Sequence, residues 1–322
     1  MKNRVLEVFF FIFHLSSFIS HPSFMLVTTL HETTFDYARP IERTFTEARL
    51  WPVSDSSQTC HEFSLSVDPM RPLLENRDYY GNISMSFNIL PPHRRVVVTG
   101  RSVVETHRDP FVPQLVDDFE THLAQMDFLG FDGPIEYSND VETLRDEAGL
   151  MTAHRDAPWF EDESVFTHVQ KLNSMIHEQF TYCTDATDVH THIAEVFEGR
   201  RGVCQDFAHV FIAVCRAAQI PCRYVSGYLV TRRARSLAGS GASHAWVEVL
   251  LPGHGWCAFD PTNNLLANDS YIKLAHGRDY RDVTPTRGVF KGNGVECRMS
   301  VRVHTLTEED ISSTRNEPEL VG

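Results

Sequence analysis

Residues 204–220 constrain this chain more than any other stretch. Phe207, Val210, Phe211, Val214 and Ala218 recur at helical spacing along one side of Cys204-Gln205-Asp206-Phe207-Ala208-His209-Val210-Phe211-Ile212-Ala213-Val214-Cys215-Arg216-Ala217-Ala218-Gln219-Ile220, and Pro221 stops the run. A helix with so broad an apolar face is mostly buried. The segments after it read as strands: Cys222-Arg223-Tyr224-Val225-Ser226-Gly227-Tyr228-Leu229-Val230, then Ser243-His244-Ala245-Trp246-Val247-Glu248-Val249, then Gly255-Trp256-Cys257-Ala258-Phe259-Asp260. Pro252-Gly253-His254-Gly255 is the hairpin turn between the last two.

The helix begins on a cysteine. A thiol in the first turn meets unsatisfied N–H groups and the positive end of the helix dipole, which favour thiolate over thiol, and the thiolate is the nucleophile. Cys215, on the apolar part of the same helix, reads instead as a small core residue. A thiolate nucleophile needs an imidazole to pair with it and protonate the leaving group, and the imidazole needs an acceptor that fixes its tautomer. His244 opens one strand of the hairpin and Asp260 closes the other, at the same end. Counting leaves an offset: direct opposition of 244 and 260 centres the turn on residue 252, whereas Pro252-Gly253-His254-Gly255 is centred between 253 and 254, so a β-bulge or an irregular loop is expected.

The chain has 322 residues, enough for a sizeable core and, at about 100–200 residues per domain, for two domains. With 29 Lys and Arg against 43 Asp and Glu, the net charge of -14 repels phosphate backbones and anionic lipid, which argues against nucleic acid as a partner. The 17 His would cancel much of that charge near their ordinary pKa of about 6.5. Seven Cys at these spacings do not make a disulfide scaffold and are expected to be mostly reduced. Residues 1–24 carry Lys2, Arg4 and the run Val5–Phe13, interrupted by Glu7 and followed by no Ala-x-Ala site. They read as a dispensable leader with Met25 as the start, which favours the cytoplasm, or else as a signal peptide of a secreted protein. The run is too short for a helix of about 20 residues that spans a bilayer, so no stable membrane insertion is expected.

From Met25 to about Val104 the pattern is β: Leu26–Leu30, Phe63–Val67, Ile83–Ile89 and Arg95–Thr99 alternate or are β-branched, with Asp68-Pro69, Gly81-Asn82 and Pro91-Pro92 as turns. A helix-rich segment opens at Val116, and Val165, Val169, Leu172, Met175 and Ile176 predict a helix from about Ser164 to Phe180. His190 and His192 read as exposed. With no His-Glu-x-x-His, Cys-x-x-Cys pair or Gly-x-Ser-x-Gly in the chain, no metal site and no cofactor are expected. Arg232, Arg233 and Arg235 form a short basic loop that reads as solvated, and Trp246 and Tyr228 read as core packing.

Arg201-Gly202-Val203-Cys204-Gln205-Asp206-Phe207-Ala208, Arg223-Tyr224-Val225-Ser226-Gly227-Tyr228, Ser243-His244-Ala245-Trp246-Val247-Glu248 and Gly255-Trp256-Cys257-Ala258-Phe259-Asp260-Pro261-Thr262-Asn263 together resemble the transglutaminase-like superfamily of cysteine enzymes, in its bacterial branch of candidate cysteine proteases. The β-rich start, with Asp78-Tyr79-Tyr80-Gly81-Asn82, looks like the N-terminal domain of that branch. The resemblance implies an α+β fold: a papain-like transglutaminase core, its nucleophile helix packed on an antiparallel sheet, preceded by a small β-rich domain. The expected map is a leader or misassigned start at 1–24, a β-rich domain at 25–112, a helical or loop connector at 113–163, the catalytic core at 164–304 and a flexible tail at 305–322. It also implies Cys204 as nucleophile, His244 as acid/base and Asp260 as the residue orienting it. The Cys204 N–H is an expected oxyanion donor, with Gln179 and Tyr182 as candidates for the second. The expected substrate is a peptide or protein amide, attacked through a thioester. Release to water would make a peptidase or amidase, release to an amine a transglutaminase, and loss of chemistry a binding module. The sequence leaves the oligomeric state open.

Overall fold

The computed structural model describes residues 25–107, 164–187, 191–218, 220–230, 238, 241–251, 255–292, 294–307 and 310. The leader, the segment opening at Val116 with the connector around it, His190, the loop of Arg232, Arg233 and Arg235, and residues 311–322 of the expected tail lie outside the described residues.

Six strands open the fold: β1 (Met25–Ile41), β2 (Arg43–Ala48), β3 (Gln58–Asp68), β4 (Leu74–Arg77), β5 (Ile83–Ile89) and β6 (His93–Thr106). Then come α1 (Val165–Gln179), β7 (Thr181–Tyr182), α2 (Ile193–Gly199), β8 (Arg201–Gly202), α3 (Cys204–Ala217), β9 (Cys222–Leu229), β10 (His244–Leu251), β11 (Gly255–Asp260), β12 (Leu265–Leu266), β13 (Tyr271–Gly277), α4 (Tyr280–Val283), β14 (Thr286–Lys291) and β15 (Cys297–Thr307). The central sheet is antiparallel in the order β12-β11-β10-β9-β13, and the β module consists of two four-stranded sheets, β15-β1-β6-β3 and β14-β2-β5-β4. This is the α+β architecture expected.

Helix α3 packs on one face of the central sheet. Phe207, Val210, Phe211 and Val214 are buried against Tyr224 of β9, Ala245, Val247 and Val249 of β10 and Phe259 of β11, with α1 contributing Val165, Val169, Leu172 and Ile176. Alternation decides the faces: Ala245, Val247 and Val249 point to the helices, so His244, Trp246 and Glu248 point the other way. On that second face Trp246 packs with Val225, Leu229 and Tyr271. Trp246 and Tyr228 are fully buried core side chains.

The two ends of the chain share sheets. The sequence map grouped 164–304 as one core, yet β14 pairs with β2 from Thr286↔Ala48 to Lys291↔Arg43, and β15 pairs with β1 from Tyr37↔Cys297 to Val27↔Thr307. Two outer strands of the β module are thus supplied from the far end of the chain, and pairing continues to Thr307. All seven cysteines are free thiols, with Cys215, Cys222 and Cys257 buried. Among the described residues, no helix is long and apolar enough to cross a membrane.

Candidate functional site

The start of α3 is built by three neighbouring residues. Val203 is the N-cap in an extended conformation, and its side chain makes no cap bond. Asp206 supplies the cap from the other direction: its Oδ2 accepts the Val203 N–H at 2.7 Å and the Thr187 hydroxyl at 2.6 Å. Burial raises the Asp206 pKa, while those two bonds oppose the shift. Gly202 is required by close approach, because an added Cβ would meet Asp206 Oδ2 at 2.5 Å. The arrangement leaves Cys204 as the first helical residue, half-buried and interacting with His244, the first residue of β10.

His244 and Asp260 meet as the hairpin reading expected, by a different route. The β10–β11 ladder runs from Val247↔Phe259 to Leu251↔Gly255 without a register shift, so the ladder holds no bulge, and residues 252–254 of the turn lie outside the described residues. Continued one step, that register puts Asp260 opposite Trp246, and His244 reaches it diagonally, a separation that long side chains span. Its Nε2 lies 2.8 Å from Asp260 Oδ2, with both side chains fully shielded from solvent. The other ring nitrogen, Nδ1, is buried and has no nitrogen or oxygen partner among the described residues. Burial alone would depress the His244 pKa; the Asp260 carboxylate and the interaction with the Cys204 sulfur outweigh it and raise the value to about 10. With Nε2 committed to Asp260, Nδ1 is the nitrogen left for the thiol, and the imidazolium is the favoured state.

Asp260 is gripped more thoroughly than a turn residue would be. Its Oδ1 accepts the backbone N–H groups of Thr262 (2.9 Å) and Asn263 (3.2 Å). Its Oδ2 accepts Asn263 Nδ2 (2.8 Å) and the Tyr271 hydroxyl (2.8 Å) besides His244. Burial raises its pKa, but His244, Asn263 and Tyr271 together lower it below the ordinary value. Helix α1 secures the turn after it: His177 Nδ1 donates to Thr262 O (2.9 Å), and Asn173 Nδ2 and Ser174 Oγ donate to Asn264 Oδ1, each at 3.0 Å. Asn264 occupies the left-handed region at φ 53.

Sequence reasoning missed Tyr271 and the grip of Asn263. Asn263 carried a signal, since Asp-Pro followed by an Asn is turn chemistry that folds side chains back on the backbone. Tyr271 carried none. Its ring packs edge-on against Trp246 at 5.3 Å and lies 6.3 Å from His244, delivered there from the far edge of the sheet.

Of the two second-donor candidates, Tyr182 stands near the thiol. Burial first, then charge on Cys204, Asp206 and Asp260, pushes its pKa up to about 12. Gln179 is engaged elsewhere, its Oε1 accepting Arg200 Nη1 at 3.2 Å. His209, the other imidazole on α3, accepts the Tyr280 N–H at Nε2 (3.2 Å) and packs on Tyr224, and burial holds its pKa down to about 4. His192 serves as the N-cap of α2, its Nδ1 accepting the Ala194 N–H at 3.3 Å. Among the described residues, no cluster of His, Cys, Asp and Glu has the geometry to hold a metal ion.

Comparison with known proteins adds the following. Residues 160–261 match the family model of the transglutaminase-like superfamily, and residues 27–105 match that of the bacterial transglutaminase-like N-terminal region. An uncharacterized protein of Mycobacterium leprae is 33% identical over 82% of this chain and 93% of its own length. A protein-glutamine gamma-glutamyltransferase of Pseudomonas aeruginosa is 37% identical over 29% of this chain and 14% of its own. The crystal structure of a candidate cysteine protease from Cytophaga hutchinsonii shares the fold, with a TM-score of 0.65 at 22% identity over 88% of this chain and 91% of that one.

Proposed function

Because this chain belongs to the transglutaminase-like superfamily, we propose that it is a thiol-dependent acyl-transfer enzyme with Cys204 as nucleophile, His244 as acid and base, and Asp260 as the residue that orients the imidazole. The Cys204 thiolate adds to an amide carbonyl carbon, the C–N bond breaks, and the His244 imidazolium gives its Nδ1 proton to the departing amine. A thioester remains on Cys204. Water then attacks it, His244 taking the proton, and the acid leaves with the enzyme restored. The carrying observation is the buried 2.8 Å bond between His244 Nε2 and Asp260, which leaves the second ring nitrogen for the Cys204 sulfur, whose interaction favours the protonated ring. The Cys204 N–H at the helix start and Tyr182 are the proposed donors to the oxyanion.

Hydrolysis is the favoured outcome because it needs no second binding site, which makes the protein a peptidase or amidase. The name of the Pseudomonas aeruginosa relative supports a second reading, in which an amine rather than water takes the acyl group. The test is mass spectrometry of adducts on the intact protein after incubation with a peptide library. A thioester on Cys204 that water discharges supports the peptidase, discharge only by an added amine supports the transglutaminase, and no adduct refutes both. A thiol-reactive probe at pH 6 should label Cys204 ahead of Cys60, Cys183 and Cys297; uniform labelling would count against an activated thiol.

A further inference from the structure

We propose that Tyr271 is a positioning residue for the His244–Asp260 pair, and that the N-terminal β module holds it in place by clamping β13 through Gln58 and Asn82. The proposal deepens the acyl-transfer reading and rests on its assignment of His244 and Asp260.

Among the described residues strand β13 is an edge of the central sheet, with no strand paired to its outward N–H and C=O groups. Two side-chain amides of the β module, with the Val53 N–H donating to Lys273 O at 3.2 Å beside them, take the place of a strand. Gln58 Nε2 donates to Lys273 O and Gln58 Oε1 accepts the Lys273 N–H, both at 2.8 Å. Asn82 Nδ2 donates to His276 O at 2.8 Å and Asn82 Oδ1 accepts the His276 N–H at 2.9 Å. Both amides are fully buried. Residues 273 and 276 have opposite parity, and the shift in the β13–β9 register between Lys273 and Ala275 is what lets both face outward. Asp78 aims the second clamp by accepting Asn82 Nδ2 at 3.0 Å, which accounts for the Asp78-to-Asn82 stretch. A third tie runs through the Lys273 side chain, whose Nζ bridges Asp55 of the β module (2.6 Å) and Glu248 of β10 (2.7 Å).

Tyr271 stands two residues before the first clamp, and its hydroxyl donates to Asp260 Oδ2, the oxygen that also holds His244. A shift of β13 therefore changes the number of donors on that oxygen. The groups acting on His244 itself are Asp260 from β11 and Cys204 from α3; Tyr271 acts on Asp260.

The experiment uses the full chain and needs no substrate. NMR follows the His244 Nε2 proton and the pH at which the ring titrates, with thermal denaturation of each variant in parallel. Tyr271→Phe keeps the ring and removes one donor, so Asp260 becomes more basic and the His244 titration rises by up to about one pH unit. Gln58→Met breaks the first clamp, should move the same resonance in the same direction, and should add little in the double variant with Tyr271→Phe. Gln58→Glu, which keeps an acceptor for Lys273 N–H, should move it less, and supplies the comparison should Gln58→Met not fold. An unchanged His244 resonance in Tyr271→Phe, or Gln58 variants that lose thermal stability without moving it, overturns the proposal. Alkylation of Cys204 by iodoacetamide in the unaltered chain reports separately on the acyl-transfer reading.

Discussion

A carboxylate that receives five donors cannot be exchanged for an amide without loss. Considered with His244 alone, Asp260→Asn should be a milder change than His244→Ala, since the amide oxygen can still accept from the imidazole. The observed partners reverse that expectation. Turned either way, the Asn NH2 would face two donors at the Oδ1 position or three at Oδ2, those from His244, Thr262 and Tyr271 buried and those from Asn263 half-buried. Each unmatched donor costs about 1–3 kcal/mol. Asp260→Asn should therefore lower the thermal midpoint and, like His244→Ala, slow single-turnover acylation by at least about 10²-fold; near-native stability and rate would mean that the donors rearrange. The ion pair also sets a pH window. The raised His244 pKa makes its stabilising contribution full below its ordinary 6.5 and lost as pH rises through about 10, while the lowered Asp260 pKa makes its own full above 3.8 and lost as pH falls through its folded value. The thermal midpoints of the unaltered chain and His244→Ala should accordingly converge toward pH 10. The proposed site residues Cys204, His244 and Asp260 stand out in the sequence because each sits at an element boundary beside a turn or helix signal. Tyr271 could not, because its partner is brought near only by the order of strands.

Helices α1 and α3 were legible because each buries one continuous face, so the 3.6-residue period survives in the sequence. The β10–β11 hairpin was legible for a different reason, since β10 is buried on both faces yet alternates the apolar Ala245, Val247 and Val249 with His244, Trp246 and Glu248, although its diagonal reach from His244 to Asp260 looked like a counting error. Helix α2 is only seven residues with Val196 buried, and β4 is exposed at all four positions, so neither leaves a periodic trace. Glycine marks where elements touch. A Cβ at Gly227 would run into Ile272 O and the Trp246 ring, in the strand next to β13. Gly227→Ala should cost about 1–3 kcal/mol, read as a lower denaturation midpoint, because neither the backbone oxygen nor a fully buried Trp can yield cheaply. Unchanged stability would show that the sheet opens locally.

Across the whole molecule, the count of 17 His overstates how far the charge responds to mild acid. Burial pushes His31 and His209 down to about 4, and His31 is held between the Tyr228 hydroxyl (2.9 Å) and the Thr33 hydroxyl (2.7 Å), joining β1 to β9. Both stay neutral in the folded chain while their unfolded counterparts take up protons below about 6.5. Their contribution is thus present above 6.5 and lost as pH falls toward 4, so the thermal midpoint should fall over that interval, less steeply in His31→Gln. Length and the change of pattern after residue 104 suggest two domains, and the β-rich character of residues 25–104 was legible in its alternation. What pattern could not convey is that β15 returns to β1, since pairing partners 260 to 280 positions apart leave no local mark. That return has a consequence in time. At about 5–20 residues per second, β15 begins about 13–51 s after β1 is complete. The β1 edge must wait through all of that interval for its partner, so a nascent chain stalled before Cys297 would expose an open sheet edge and depend on chaperones to keep it from pairing with a neighbour.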